Sequence, residues 1–568
     1  MTDAIKSGRR GFLRRLAGMS ALLASSDAPG RGAPASSGMI DAQSRRQTAF
    51  AVRESAALFQ NGQPASNQVS NGDETNLPSY IASFTKGFPH DEANLVEPSA
   101  YQSLLYALST GKHADFENIS RGSGMKFVDP EAAFAYSLEG ADSHCLACPP
   151  PPSFSSAAAA AEMVELYWHA LARDVPFAEY DSSSVIQAAN QDLSRLSSFQ
   201  GPVQPGGTVS SATIFRIKSP GCLEGPYISQ FLLKPIPMNS TWVEQKYRVP
   251  MPGVDYLESY AEWQVIQSGL PPYRVPIFDP TPRYMANGRA LAEWVHFDFL
   301  YQAFHNAALI LINQAPETIL DTQPYWNPTN PYKTSKVQTG FGTWGAPHIC
   351  GWLGRVTTAA LQAAWYQKWG VHRRLRPEEF GGWVHQTLSG PAGYPISQEL
   401  LKSAALPLVF KANNTYLLPQ AFAEGCPLHP SYPAGHATVA GACAALLKAF
   451  FDETGLVTEC FAPSADGLSL TPYDSSALDV GGEVNKLAMN IAMGRDFAGI
   501  HYRSDAMAGF RLGEDVAIAM MQDLVATFTQ DSAGFQFTRM DGTPVQITAG
   551  PTLTERPCWA RYRPEAMP

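Results

Sequence analysis

The sequence predicts a mainly α fold with long irregular connections, on three observations. Six stretches repeat apolar residues at three- and four-residue spacing, which marks one face of a helix. Runs with strand character are few and short. With 45 prolines and 45 glycines in 568 residues, many connections must lie outside regular elements. Hydrophobic residues make up 45% of the chain, enough for a sizeable core, and only 16% are charged. A large body, or an oligomer with much internal surface, accommodates that low charge. The expected architecture is a large helical bundle with long loops and a few short hairpins.

Residues 1–38 read as an export signal and linker. Arg9 and Arg10, followed by Phe12, Leu13 and a weakly apolar run, resemble a twin-arginine signal, which implies a periplasmic or extracellular protein. The run is too short and interrupted to span a membrane, and no other stretch is apolar enough. Residues 39 to about 75 are polar and expected to be loosely ordered, with the globular body starting near Pro78. The body divides on paper into an N-terminal helical part, 39–330, and a part carrying the chemistry, 331–568. Helices are expected at 156–173, 288–314, 357–369, 436–454, 483–497 and 504–527, with Ser504 as an N-cap. Strand signals at 228–233 and 545–548 each fit a small hairpin. Loops are expected at 327–345 and 389–395. The aromatic segment 247–260 reads as core and interface.

Eight cysteines permit disulfides in an exported protein without fixing their pairing. Cys145 and Cys148 form a C-x-x-C that reads as a structural disulfide or two free thiols. The net charge of −10 argues against a nucleic-acid or anionic-membrane partner. Histidines of the N-terminal half, such as His90 and His113, read as surface or capping residues, and no acidic loop is spaced for calcium.

Against the acidic background, three basic segments of the last third stand out. KWGVHRRLRP (368–377), HPSYPAGHA (429–437) and GRDFAGIHYRSD (494–505) supply Lys368, Arg376, His436, Arg495 and His501. Three cations and two histidines suit an oxyanion: the cations neutralise it, one imidazole bonds the central atom and the other moves protons. A helix starting at Gly435 or His436 would offer the Gly435 amide and a partial positive charge. Asp505, four residues after His501, can bond one imidazole nitrogen and fix the tautomer. Arg376 can clamp two oxygens, whereas Lys368 gives one mobile charge. Arg373 and Arg374 read equally well as surface charges.

The order lysine, Arg-Pro, P-x-G-H and R-x5-H-x3-D resembles the vanadium-dependent haloperoxidases and their phosphatase relatives, most nearly the algal and cyanobacterial bromoperoxidases. The motifs cover part of the region 340–515. The resemblance implies a helical-bundle fold of the haloperoxidase and acid phosphatase type, and vanadate as cofactor. It implies His501 as the metal ligand, and Lys368, Arg376, Arg495 and the Gly435 amide as donors to the vanadate oxygens. His436 would be the acid–base, oriented chemistry would come from Asp505 on His501, and His429 would lie beside the vanadate as in bromoperoxidases. Trp365 matches the tryptophan of chloroperoxidases, so His429 and Trp365 point opposite ways on halide preference. Ala434 stands where the family usually has serine. Hydrogen peroxide, a halide (bromide first) and an organic acceptor are the implied partners, in a homo-oligomer. The competing readings are an acid phosphatase working through a phosphohistidine at His501, and an exported oxyanion-binding protein.

Overall fold

At the centre of the fold two helices touch backbone to backbone. A Cβ on Gly513 would stand 1.9 Å from the Thr438 carbonyl oxygen, and one on Gly441 would stand 2.2 Å from that of Phe510. Only glycine permits this approach. The fold comes from a computed structural model, which describes residues 41–122, 124–313, 325–391, 393–474, 477–530 and 534–548. The main helices are α1 (Ala157–Ala172), α2 (Gly288–Trp294), α3 (Gln302–Asn313), α4 (Ala346–Trp365), α5 (Pro377–Ser389), α6 (Gly435–Phe450), α7 (Val480–Phe497) and α8 (Arg503–Val525). α6 packs against α4, α7 and α8, and α2 lies on α7. Every residue of α7 is buried. Leu446, Leu447, Val484, Leu487 and Ile491 fill the centre, each contributing about 1.5–3 kcal/mol by leaving water.

Three antiparallel hairpins decorate the helices: β1 (Ile236–Met238) with β2 (Thr241–Val243), β3 (Cys460–Pro463) with β4 (Leu470–Tyr473), and β5 (Gly534–Thr538) with β6 (Pro544–Thr548). In the last, Phe535 faces Ile547 and Phe537 faces Val545, all four buried.

Local rules explain the ends that match expectation. Ser156 caps α1 by accepting from the Ala159 amide, and Asp479 caps α7 by accepting from Gly482. Other expectations need correction. The segment 288–314 is two helices joined by an irregular connection at 295–301, because polar groups there turn toward the functional pocket; Gln314 lies outside the described residues. The third helix starts earlier, at Ala346, and passes after Trp365 into a π-helical turn at Tyr366–His372. Tyr502, not Ser504, is the N-cap of α8. The 228–233 strand is instead a 3-10 turn, Gln230–Leu232, where Ser229 accepts from the Phe231 amide.

The contact pattern separates residues 1–55 from a single unit spanning 56–568, so the body begins before Pro78. The 39–75 tract is more regular than expected: helix Ala42–Asn61 occupies it, with no buried side chain. Arg9 and Arg10 lie outside the described residues, as does Cys558. Cys145 and Cys148 are free thiols, as are Cys222, Cys350, Cys426 and Cys443. Among the described residues no helix is long and apolar enough to cross a membrane.

Candidate active site

All the proposed site residues converge at the N-terminus of α6 and the turn between α7 and α8. Lys368 is fully buried within the π-helical turn, and its Nζ donates to the carbonyls of Pro430 and Ser431, both at 2.7 Å. Arg376, also fully buried, precedes Pro377 in extended conformation. Its Nε donates to the His429 carbonyl and its Nη1 to the Ile500 carbonyl, each at 2.8 Å. Nη2 lies 3.0 Å from His429 Nδ1. Arg495, in the last turn of α7, donates from Nη1 to the Val295 carbonyl at 2.6 Å, while its buried Nε has no partner. Burial foremost lowers the Arg495 pKa to about 10.

His501 sits between two anchors. Nδ1 is 2.8 Å from Asp505 Oδ2, and Nε2 is 3.1 Å from Arg376 Nη1. The Asp505 carboxylate therefore accepts a hydrogen bond from Nδ1–H, which leaves the Nε2 lone pair toward the cations. Burial, then Arg376, Lys368, Arg495 and His436, hold the His501 pKa well below its usual range, so the ring is neutral near pH 7.

The carboxylate that orients His501 is itself over-determined. Asp505 also accepts from Ser431 Oγ, the Tyr502 amide at 3.2 Å and Arg374 Nη1 at 2.8 Å. Arg374 reaches on to Glu162 at 2.9 Å and lies 3.8 Å from the Tyr502 ring centroid. Arg373 pairs with both oxygens of Glu74 at 2.7 and 2.6 Å. Neither is a solvated charge: both are drawn inward by carboxylates from distant segments.

His436 begins α6 after Gly435, as expected. Its Nε2 lies 2.9 Å from Asp298 Oδ1, in the connection between α2 and α3. Burial lowers its pKa; Asp298 opposes the shift, and Arg495 and Lys368 reinforce it. Asp298 is the functional residue that sequence reasoning missed. Its signal was a lone acid in the aromatic run FDFLY, inside what reads as a buried helix. Trp365 and His429 form one wall, ring centroids 4.8 Å apart. A Cβ on Gly435 would meet Trp365 Cζ3 at 3.2 Å, so Gly435 shares that wall. Ala434 is the N-cap of α6 and provides no side-chain cap. His90 and His113 lie apart, bonded to Thr85 and Glu131.

One contrast decides what the pocket is for. Arg373, Arg374 and Arg503 each pair with a carboxylate. Among the described residues no ion pair reaches Lys368, Arg376 or Arg495, though all three are buried. Buried cations without a counter-charge are costly, and here they share one site with a neutral imidazole. The donor set fits a tetrahedral oxyanion bonded by His501.

Comparison with known proteins agrees. Over 536 residues the chain is 35% identical to a vanadium-dependent bromoperoxidase of Ascophyllum nodosum, covering 90% of this chain and 94% of the relative. It is 31% identical to one from Corallina officinalis, over 89% and 99% of the two chains. The chain belongs to the vanadium-dependent bromoperoxidase family. The solved structure of a second vanadate-dependent bromoperoxidase from Ascophyllum nodosum, a homohexamer, superposes with a TM-score of 0.86 at 28% identity, covering 93% and 96% of the two chains. Residues 411–530 match the family described as the VCPO second helical-bundle domain, which takes in His429, His436, Arg495 and His501. Two site residues of this bromoperoxidase-family chain, Lys368 and Arg376, come from the helices before that segment, and Asp298 from still earlier.

Proposed function

We propose that the protein is a vanadium-dependent haloperoxidase that uses hydrogen peroxide to oxidise bromide to hypobromous acid, which halogenates organic compounds. The observation that carries this reading is the Arg376 guanidinium 3.1 Å from Nε2 of a neutral His501, in a site whose other two buried basic side chains, Lys368 and Arg495, also pair with no carboxylate among the described residues. Vanadate would be held by that nitrogen, by Lys368, Arg376 and Arg495, and by the Gly435 amide. When bound, it supplies a Lewis-acidic centre that activates peroxide for oxygen transfer to halide.

The chain's own part is proton handling and charge stabilisation. With Nε2–H donating to Asp298, His436 has an Nδ1 lone pair for the proton of incoming hydrogen peroxide. The Asp298 carboxylate stabilises the imidazolium that results. The fixed cations stabilise negative charge as it moves between oxygens, without reorganising. The overall change is balanced: peroxide, bromide and one proton give hypobromous acid and water. The His429–Trp365 wall is the candidate halide contact; its two residues point opposite ways on the halide, and the bromoperoxidase relatives support bromide.

A phosphatase acting through His501 would use the same cations, and capture alone would not need the His436–Asp298 pair. Export through the Arg9-Arg10 signal and assembly into a homo-oligomer complete the proposal; the hexameric relative supports the latter. The deciding experiment measures bromide-dependent halogenation of an organic probe by oxyanion-free protein, before and after adding orthovanadate. Activity should appear with vanadate, fall with added phosphate and vanish in His501→Ala. No activity at any halide, together with phosphoester hydrolysis that vanadate inhibits, would overturn the proposal.

A further inference from the structure

The connection at 295–301 reaches the pocket at two points. The Val295 carbonyl accepts from Arg495, and Asp298 meets His436. Apolar packing holds the connection's two ends, through buried Val295 and through Leu300 and Tyr301 against the core. Between them Phe297 and Phe299, which flank Asp298, are 71% and 74% exposed, so the path at Asp298 needs a polar anchor.

His296 supplies that anchor. Its ring lies flat on Phe422, centroids 3.7 Å apart and planes 5° from parallel. Its Nε2 is 2.5 Å from Glu424 Oε1, and its Nδ1 is 3.4 Å from Glu293 Oε2 of α2. Glu424 is tied in turn, since Lys86 Nζ donates to its carbonyl at 2.7 Å and pairs with buried Glu378 at 2.9 Å. The same Phe422 ring lies 5.8 Å from the Arg495 guanidinium carbon. The charged groups facing His296 are therefore Glu293 at the end of α2, Glu424 and Lys86 from the packed segments, and Arg495 across Phe422. Burial opposes charge on His296, but the carboxylates of Glu293 and Glu424 override it and raise its pKa. With Glu424 34% exposed, an ion pair of this kind adds little net stability; its part is to hold the ring in place.

We propose that His296 and Glu424 are positioning residues for the acid–base pair: their contact sets the path of the 295–301 connection and so places the Asp298 carboxylate on His436. The inference rests on His436 being the acid–base group. It assigns a role to a contact that touches neither oxyanion nor substrate, and it predicts that His436 senses changes made on the far side of Phe422.

The test uses the full-length protein without vanadate, in four variants: His296→Leu, Glu424→Gln, Asp298→Asn and, as a control, His113→Gln. The rate of His436 carbethoxylation by diethyl pyrocarbonate is followed against pH by peptide mass spectrometry, which gives the titration midpoint of that one imidazole. Because Asp298 is the group that raises it, Asp298→Asn should lower the midpoint. His296→Leu should lower it in the same direction, Glu424→Gln by less, and His113→Gln not at all. With vanadate, bromination kcat should fall about tenfold in His296→Leu, while the bromide KM stays within about twofold.

An unmoved midpoint in both His296→Leu and Glu424→Gln, with a shift in Asp298→Asn, overturns the proposal. An unmoved midpoint in Asp298→Asn overturns it too, by removing the pair it positions. If circular dichroism shows that His296→Leu does not fold, Glu424→Gln decides. Midpoints that shift in the variants as expected, with a wild type that never halogenates, would overturn the haloperoxidase reading and leave the positioning role standing.

Discussion

Replacing Asp505 by asparagine should separate the orienting of His501 from the folding of the site. The carboxylate accepts four hydrogen bonds, from His501 Nδ1, Ser431 Oγ, the Tyr502 amide and Arg374 Nη1. Asparagine has one oxygen. With its NH2 at the Oδ2 position it faces three donors; turned over, it faces the Arg374 guanidinium. The turned pose is preferred, because it loses outright only the bond from Arg374, at about 1.5–3 kcal/mol, and weakens the other three by removing the charge. Arg374 retains Glu162, so the loss should total roughly 2–4 kcal/mol rather than the full cost of a stranded buried cation. With about 500 residues unfolding at about 2.1 cal/mol/K each, the melting temperature should drop by roughly 2–4 °C. Vanadate affinity should fall further than a generic destabilisation would cause, because an amide oxygen holds the Nδ1 proton, and so the Nε2 lone pair, less firmly than the carboxylate does. The expected loss is about 10–100-fold, or about 1.4–2.8 kcal/mol. Thermal unfolding of vanadate-free protein gives the first quantity, and reconstitution titrated with orthovanadate gives the second. A folded Asp505→Asn protein whose vanadate Kd lies within twofold of wild type would refute the orienting role.

Oxyanion binding should stabilise the fold, because it supplies the counter-charge that Lys368, Arg376 and Arg495 lack. At 100 times Kd the gain is about 2.7 kcal/mol, a rise of roughly 2–3 °C, seen with vanadate or phosphate and absent with equal ionic strength of chloride. Ala434→Ser introduces a hydroxyl at the N-cap of α6. A melting temperature that rises with unchanged vanadate affinity would show it capping the helix, whereas tighter vanadate binding, up to about tenfold, is expected if it faces the pocket. Burial, then Arg355, lowers the His348 pKa to about 4, and its Nδ1 accepts from the Trp344 amide at 3.1 Å. Its stabilising contribution is whole above pH 6.5 and lost as pH falls from there toward 4. His348→Asn, which keeps an acceptor but cannot charge, should therefore lose less melting temperature than wild type between pH 7 and 4; parallel curves would contradict this. His429→Phe should raise the ratio of chloride to bromide oxidation, and an unchanged ratio would remove His429 from the halide site.

Much of the site was legible because its chemistry is concentrated in three short segments. Arg376 before Pro377, Gly435 before His436, and His501 four residues before Asp505 are local spacings, and local geometry delivered each where the spacing implied. Asp298 was not legible. Its partner lies 138 positions away, and the apolar periodicity around it continues through 288–314 as though unbroken. Nothing in that periodicity registers that a carboxylate must leave the helix to reach an imidazole. The fates of Arg373 and Arg374 were hidden for the same reason, since Glu74 and Glu162 are remote in sequence. Helices were read best where small and apolar residues make the face continuous, as in α6 and α8. The 228–233 reading failed because the buried apolar side chains of ISQFLL, Ile228, Phe231, Leu232 and Leu233, serve a packed 3-10 turn as well as a strand.

The segment from Trp365 to Pro377 explains how neighbouring cations come to do different work. After α4 the backbone widens into a π-helical turn, a device often found at functional sites, and this sets Lys368 against the carbonyls of Pro430 and Ser431. Arg373 then adopts a left-handed conformation, φ 40°, which ends the turn and sends its side chain to Glu74. Arg374 bridges to Ser83 through its backbone and turns its guanidinium to Asp505. Arg376 is extended ahead of Pro377 and faces His501. Four changes of backbone conformation thus sort four cations of one short peptide into two classes. Arg373 and Arg374 are neutralised by carboxylates and lock the scaffold, while Lys368 and Arg376 are left with dipoles for partners, and burial lowers both their pKa values, so an anion would supply the counter-charge they lack. A continuous α-helix through this stretch would repeat side-chain directions every three to four residues and mix the classes, so the irregular backbone is what keeps the anion site cationic.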